Sequence, residues 1–559
     1  MKRLAILAFM GCTLAAHAQK DVFVSWGSKD VHYEQYAQPH MARATTDTTL
    51  TAWRGERAAM QAVVYAPTAC GKLKVRLGEW RGAKHTIAAQ NGWARFVNYV
   101  TTDNFQQCGY HPNHLTPYEV PDVIDIDQAQ EVVANSTHPV WCTLEVPRDA
   151  QPGVYSTQLE VVNAETDRVV KRLNLKLRVL NRTLPTAKEQ KFHVDFWQQP
   201  YAVSRYAGVE RWSQAHIDSL KPYLKLLARS GQKVVSAILF YEPWGDQSHD
   251  KFSPMVQTTK GRDGAWRYDY TVFDRWVELC EACGIDEQIN CFSMVPWDMS
   301  FRYYDEALQR DVDLKTSTSS EEYKDLWTAF LKNFAAHLKA KGWYDKTCIA
   351  MDERGLGNML DAYRVAQEAV PGMKMALAGT HHKELVDKLY DYCIGFGENF
   401  SDEELAARKA KGWVSTTYTC CSNAEPNLFS NSLSAEAAYL PVFCVANNFE
   451  GYLHWSWMNW ADEPLRDSRF RLFAPGDTYL IYPGARSSVR YERFIEGVAM
   501  AEKIRILRNE YTQNANAEAL DRLNSLVKAF APAGIPNGKT AAGMVNELQE
   551  VLNKQNFKY

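Results

Sequence analysis

The chain changes its hydrophobic rhythm near residue 190. Before that point apolar positions recur at every second residue. Leu73, Val75 and Leu77 alternate with Lys74 and Arg76, and Val140, Cys142, Leu144 and Val146 continue the pattern. Tyr155, Thr157, Leu159 and Val161 follow a Pro152-Gly153 turn, and Leu173, Leu175, Leu177 and Val179 repeat the period. A period of two buries one face of a strand and solvates the other. Several such strands, separated by turn residues, predict a β-sandwich over residues 19–185. The polar stretch 181–188, which contains Pro185, predicts a linker.

From Lys191 short apolar runs alternate with helix-period segments. The runs are FHVDFW (192–197), VVSAILFY (234–241), QINCFSM (288–294), CIAMD (348–352), KMALA (374–378), CIGF (393–396), WVSTTY (413–418) and GYLHW (451–455). Between them lie stripes such as Leu220, Tyr223, Leu224 and Leu227, or Trp327, Phe330, Leu331, Phe334 and Leu338. Eight strand–helix units predict a (β/α)8 TIM barrel over 186–490. A doubly wound open sheet would carry a glycine-rich fingerprint after its first strand, and none follows 192–197. Helix-period segments at 492–510, 518–530 and 541–553 predict C-terminal helices, 491–559, packed on the barrel as an appendage.

Composition narrows the class. Of 559 residues 46% are hydrophobic and 23% charged, which is the balance of a globular, multidomain protein. A net charge of -3 without a basic run argues against a nucleic-acid partner. The N-terminus, MKRLAILAFMGCTLAAHAQK, places Lys2 and Arg3 before an apolar run and an Ala16-His17-Ala18 cleavage signal. Residues 1–18 therefore read as a signal peptide, and the protein is expected to be exported to the periplasm or the cell surface. No later stretch approaches the ~18 apolar residues of a membrane span. Cleavage removes Cys12 from the twelve cysteines and leaves an odd number, which is no disulfide framework. Cys142 and Cys348 read as small core residues. Cys280-x-x-Cys283 with Cys291 lacks a fourth ligand at finger-like spacing, so neither metal nor cofactor is expected.

Barrel enzymes place their chemistry at the C-terminal ends of the strands. Those ends supply Asp195 and Trp197 (first), Glu242 and Trp244 (second), Trp297 and Asp298 (third), and Asp352 and Glu353 (fourth). They continue with His381 and His382 (fifth), Glu398 and Asn399 (sixth), Tyr418 (seventh), and Trp455, Trp457, Asn459 and Trp460 (eighth). Sugars offer C–H faces that stack on rings and hydroxyls that need polar partners, and this set of carboxylates and indoles suits both. Asp352 and Glu353 stand out. Neighbours on an ideal strand face opposite ways, so the two acids share a pocket only where the strand bends or ends. Gly355 and Gly357 permit a turn there.

The Asp352-Glu353 pair on strand four resembles glycoside hydrolase family 123. So do GYLHWSWMNW (451–460), FAPGDTYLIYPG (473–484), RYERFIEGV (490–498) and, in the sandwich, WCTLEVPRDAQPGVY (141–155). Arg354 follows the pair where family members often carry proline. The resemblance implies an exo-acting β-N-acetylgalactosaminidase using substrate-assisted catalysis on a glycan with a terminal N-acetylhexosamine. It makes Glu353 the general acid/base and Asp352 the residue that orients the 2-acetamido group. Tyr418 is the candidate for the acetamido carbonyl, with Trp455 or Trp460 under the sugar ring. Two alternatives stand beside it. One is a conventional retaining glycosidase, with Glu242 or Glu398 as nucleophile opposite Glu353. The other is a non-catalytic glycan-binding surface protein.

Overall fold

Alternation becomes two packed sheets in the first third of the chain. One sheet orders Phe23–Gly27, Arg57–Ala66, Ser136–Glu145, Gly92–Thr102 and Tyr118–Ile124. The other orders Asp47–Arg54, Val169–Thr183, Gly153–Asn163, Gly71–Leu77 and Ala129–Val132, with two short strands at its side. Leu173, Leu175, Leu177 and Val179 are buried while Asn174, Lys176 and Arg178 face solvent, so the period of two has its expected physical cause. The structure, a computed structural model, describes residues 22–41, 43–105, 108–109, 115–470 and 472–554. The segment read as a signal peptide lies outside the described residues.

The eight barrel strands are His193–Phe196, Val234–Ile238, Gln288–Phe292, Thr347–Met351, Lys374–Gly379, Asp391–Gly395, Val414–Tyr418 and Gly451–His454. All pair in parallel, and each lies within a few residues of an apolar run in the sequence. The ring closes narrowly between the first and second strands, through Val194 against Gln232 and the Lys233 N–H to the Val194 carbonyl at 2.9 Å. The helices outside follow ordinary rules. Glu321–Lys341 starts at Ser320, whose hydroxyl accepts the Tyr323 N–H, and stops at Gly342, which takes φ +74°. It buries Trp327, Phe330, Leu331, Phe334 and Leu338 against the barrel.

Three features were not anticipated. A small sheet of Gln257–Lys260, Trp266–Asp269, Ser300–Asp305 and Arg310–Lys315 sits on the loops after the second and third strands. Its strands are only four to six residues long and mix polar, charged and aromatic residues, and so give little periodic signal. Cys108 and Cys421 form a disulfide between the sandwich and the loop after the seventh strand, across 313 residues. Third, the helix Val489–Gln513 lies at the junction of barrel and sandwich. From Val489 to Lys503 every residue is buried. Its charged residues meet sandwich partners. Arg490 pairs with Asp122 at 2.9 Å, Arg57 with Glu492 at 2.8 Å, Lys503 with Glu56 at 2.6 Å, and Lys29 with Glu496 at 2.7 Å. Trp53, Val100 and Leu180 of the sandwich share one apolar cluster with Phe192, Tyr491 and Leu552. Among the described residues no helix is long and apolar enough to cross a membrane.

Candidate active site

On the fourth strand Cys348 and Ala350 point into the barrel, while Ile349 and Met351 point to the surrounding helices. Asp352 keeps the inward phase, one step beyond the last paired residue. Glu353 would face outward on a continuing strand, but the strand stops at Met351 and the chain turns toward the helix Leu356–Ala369. Both acids therefore line one cavity of about 550 Å³ at the C-terminal mouth of the barrel. The turn does not use glycine's special freedom. Gly355 takes φ -62°, which any residue adopts, and Gly357 lies inside the helix.

The two acids have different surroundings. Asp352 is buried and forms an ion pair with the Arg354 guanidinium. Burial pushes its pKa up to about 7, against the pull of Arg354 and with added repulsion from Glu353. Arg354 is itself clamped. Its Nε donates to the Val295 carbonyl at 3.0 Å, and its guanidinium lies 3.9 Å from the centre of the Trp297 ring. Glu353 is exposed to the cavity, and its Oε1 accepts from the Tyr418 hydroxyl. Burial first, and then the Glu353 carboxylate, hold the Tyr418 phenol well above its ordinary pKa, so it stays a proton donor.

Trp197, Trp244, Trp297, Glu398, Tyr418 and Trp455 line the same cavity. Trp197 stacks on Trp244 with ring centres 5.1 Å apart, and Trp297 is 47% exposed. Glu398 Oε2 accepts the His381 backbone N–H at 2.5 Å.

Five candidates lie elsewhere. Asp195 sits deeper in the barrel, where burial and the Asp391 carboxylate push its pKa well above the usual range. Glu242 adopts φ +41° and turns its carboxylate back to accept the Phe252 N–H at 2.7 Å. It thereby closes the loop that carries Trp244 and Gln247 to the cavity. The His381 ring turns to Glu404, at 3.2 Å. Trp457 stacks on Phe196 and meets Tyr491 in the core. Trp460 donates its indole N–H to the Ile481 carbonyl at 2.8 Å and packs against Tyr223.

The cavity also holds residues absent from the sequence-based set. Gln247, Phe396, Phe473 and Asp477 line it, as do Cys420–Asn423 and, from the sandwich, Cys108. Phe473 and Asp477 belong to the segment 473–484 that carries the family resemblance, which was the available signal. Among the described residues no cluster of three or more His, Cys, Asp or Glu side chains could hold a metal ion.

A sandwich joined to a (β/α)8 barrel, with carboxylates and indoles gathered at the strand ends, defines a glycoside hydrolase architecture. The chain belongs to glycoside hydrolase family 123. The family's catalytic-domain model matches residues 197–507, and its N-terminal-domain model matches residues 26–163. A solved family 123 glycoside hydrolase from Clostridium perfringens, described for glycolipid glycan hydrolysis, is similar in fold. It shares 23% identity at a TM-score of 0.85, over 95% of this chain and 97% of that one. An endo-β1,6-glucanase overlays loosely, at 12% identity and a TM-score of 0.28 over 61% of this chain and 82% of that one. A PapD-like domain of human CEP192 covers 29% of this chain and 86% of its own, at 11% identity and a TM-score of 0.16. No curated protein matches the chain.

Proposed function

We propose that the protein is an exo-acting hydrolase that removes terminal β-linked N-acetylhexosamine, with N-acetylgalactosamine favoured, by substrate-assisted retaining catalysis. The observation that carries this reading is the convergence of Asp352 and Glu353 on one cavity in unequal environments. Asp352 is tied to a cation and suits a fixed, ionisable acceptor. Glu353 faces the cavity and suits proton transfer.

In the first step Glu353 gives its proton to the glycosidic oxygen as that bond breaks. The substrate's acetamido oxygen attacks its own anomeric carbon and forms an oxazolinium ion, so no enzyme nucleophile is required. Asp352 accepts the acetamido N–H and stabilises the charge that develops there. Tyr418, already beside Glu353, is within the same wall to donate to the acetamido oxygen. In the second step Glu353 takes a proton from water, which attacks the anomeric carbon and opens the ring with net retention. Lining residues drawn from all round the barrel mouth support a site for a chain end. Export is part of the proposal, and the Cys108–Cys421 disulfide supports an oxidising compartment.

Glu398 keeps the conventional retaining reading open to test, because its carboxyl lines the cavity whereas that of Glu242 does not. The experiment compares aryl β-N-acetylgalactosaminide, β-N-acetylglucosaminide and β-galactoside. Sugar release is expected from the first two and not from the third, with competitive inhibition by a thiazoline mimic of the oxazolinium. Hydrolysis of the galactoside, or a glycosyl-enzyme trapped on Glu398, overturns substrate assistance. Sugar binding without any turnover selects the non-catalytic glycan-binding protein.

A further inference from the structure

Asp477 lies well beyond the eighth strand, on a turn held from several sides. Gly476 takes φ +77°, and a Cβ there would stand 2.8 Å from the Ser430 backbone nitrogen, so the turn requires glycine. The Asp477 N–H donates to the Ala474 carbonyl at 3.0 Å, and the Asp477 carbonyl accepts from His454 Nε2 at 2.9 Å. The turn is thus bonded directly to the eighth strand, one residue before Trp455.

The side chain is buried, with 1% of the residue exposed, yet it lines the cavity. Its Oδ2 accepts the Trp455 indole N–H at 3.2 Å, while its Oδ1 has no hydrogen-bond partner. A carboxylate offers about four acceptor positions, and a buried one left unpaired is costly. The remaining carboxylates of the cavity are engaged: Asp352 by Arg354, Glu353 by Tyr418, and Glu398 by the His381 N–H. Trp455 is half-buried, with Phe473 packed 4.7 Å from its ring centre, and it too lines the cavity. An indole N–H lies in the plane of its ring. The carboxylate bonded to it therefore stands at the ring's edge, where the hydroxyls of a sugar stacked on the face emerge.

We propose that Asp477 reads a hydroxyl of the terminal sugar ring stacked on Trp455, with Oδ1 as the acceptor, and so sets which hexosamine is taken. The proposal rests on the reading of the cavity as a hexosamine site. It adds a specificity-determining residue and a ligand group, a ring hydroxyl remote from the acetamido substituent. Burial pushes the Asp477 carboxyl up to about 7, against the pull of the Trp455 indole N–H and of Arg490.

The test compares wild type, Asp477→Asn and Trp455→Phe on an aryl β-N-acetylhexosaminide and its 4-deoxy and 6-deoxy analogues. Turnover is one readout. Binding of the free N-acetylhexosamine and its deoxy forms, followed by tryptophan fluorescence, is the second. In wild type one deoxy sugar should lose about ten- to a hundredfold, the worth of a hydrogen bond to a charged group. Asp477→Asn should weaken the parent sugar by a similar factor and abolish most of that deoxy penalty. If the 4-hydroxyl is the group read, it should also narrow the preference between the two epimers. Trp455→Phe, which keeps a stacking face, should retain the penalty. Equal deoxy penalties in wild type and Asp477→Asn overturn the proposal and reduce Asp477 to a support for Trp455. Absence of turnover by wild type counts against the hydrolase reading alone, because the binding arm still tests Asp477. Should Asp477→Asn fail to fold, Asp477→Ser takes its place in both arms.

Discussion

Replacing Glu353 by glutamine isolates one atom of the mechanism. Glutamine keeps the length of the side chain and can still accept from the Tyr418 hydroxyl, which now meets Glu353 Oε1. The position is exposed to the cavity, so the fold should lose no more than about 0.5 kcal/mol. What disappears is the transferable proton. Loss of a general acid costs roughly 10²- to 10⁴-fold, equivalent to about 2.7–5.5 kcal/mol of barrier. That cost is conditional on the leaving group. An alkoxide of a natural glycan must be protonated as it departs, and the full loss should appear there. A dinitrophenolate departs unaided, and the loss should shrink toward unity. The assay is kcat/KM over a series of aryl N-acetylhexosaminides together with one natural disaccharide. Rate should depend more steeply on leaving-group acidity in the variant than in wild type. Near-normal activity on the disaccharide, or one uniform loss across the series, would falsify the assignment of Glu353 as the acid.

Asp352→Asn should lower kcat more than it raises KM, because the Asp352 charge matters most as the oxazolinium forms; steady-state kinetics that show a change in KM alone would remove Asp352 from that role. Asp352, Glu436 and Asp477 each have a pKa raised by burial to about 7. Raised carboxyls bind more protons folded than unfolded, so the stability they contribute is complete below about pH 4 and is lost as pH rises through about 7. The melting temperature should therefore fall between about pH 4 and 7, and less so in Asp477→Asn; a flat profile in wild type contradicts the raised values. Asp122→Ala removes the partner of Arg490, whose side chain is 2% exposed, and should cost about 3–5 kcal/mol in urea unfolding. A loss below about 1 kcal/mol would show that the junction tolerates an unpaired charge.

The barrel was legible because its strands are buried on both faces, which leaves continuous apolar runs between amphipathic helices. The two acids were legible because alternation through Cys348 and Ala350 delivers Asp352 inward and the strand then stops. The direction of side chains beyond the strand ends was not. Glu242 departs from extended backbone with φ +41°, and Trp460 follows a loop whose course depends on Ile481 and Tyr223. A period of two says nothing about such loops. Asp477 escaped notice because it lies far beyond any strand end and reaches the cavity only through the Gly476 turn. The disulfide joins Cys108 to Cys421 with no spacing signal at all, and an odd cysteine count hides a single bond between domains.

The buried charges along Val489–Gln513 bear on how such a protein can descend. A sandwich and a barrel look like separable modules, free to be shuffled among genes. Here a new sandwich would have to arrive already carrying an acceptor for Arg490 and a donor for Glu492, since each is buried in the helix that follows the barrel's eighth strand, whereas Glu496 also has Arg493 of its own helix as a partner. Any single lapse leaves a charge stranded at a cost comparable to much of a domain's stability. The junction therefore penalises exchange of either domain alone, because a replacement has to match the buried charges of that helix.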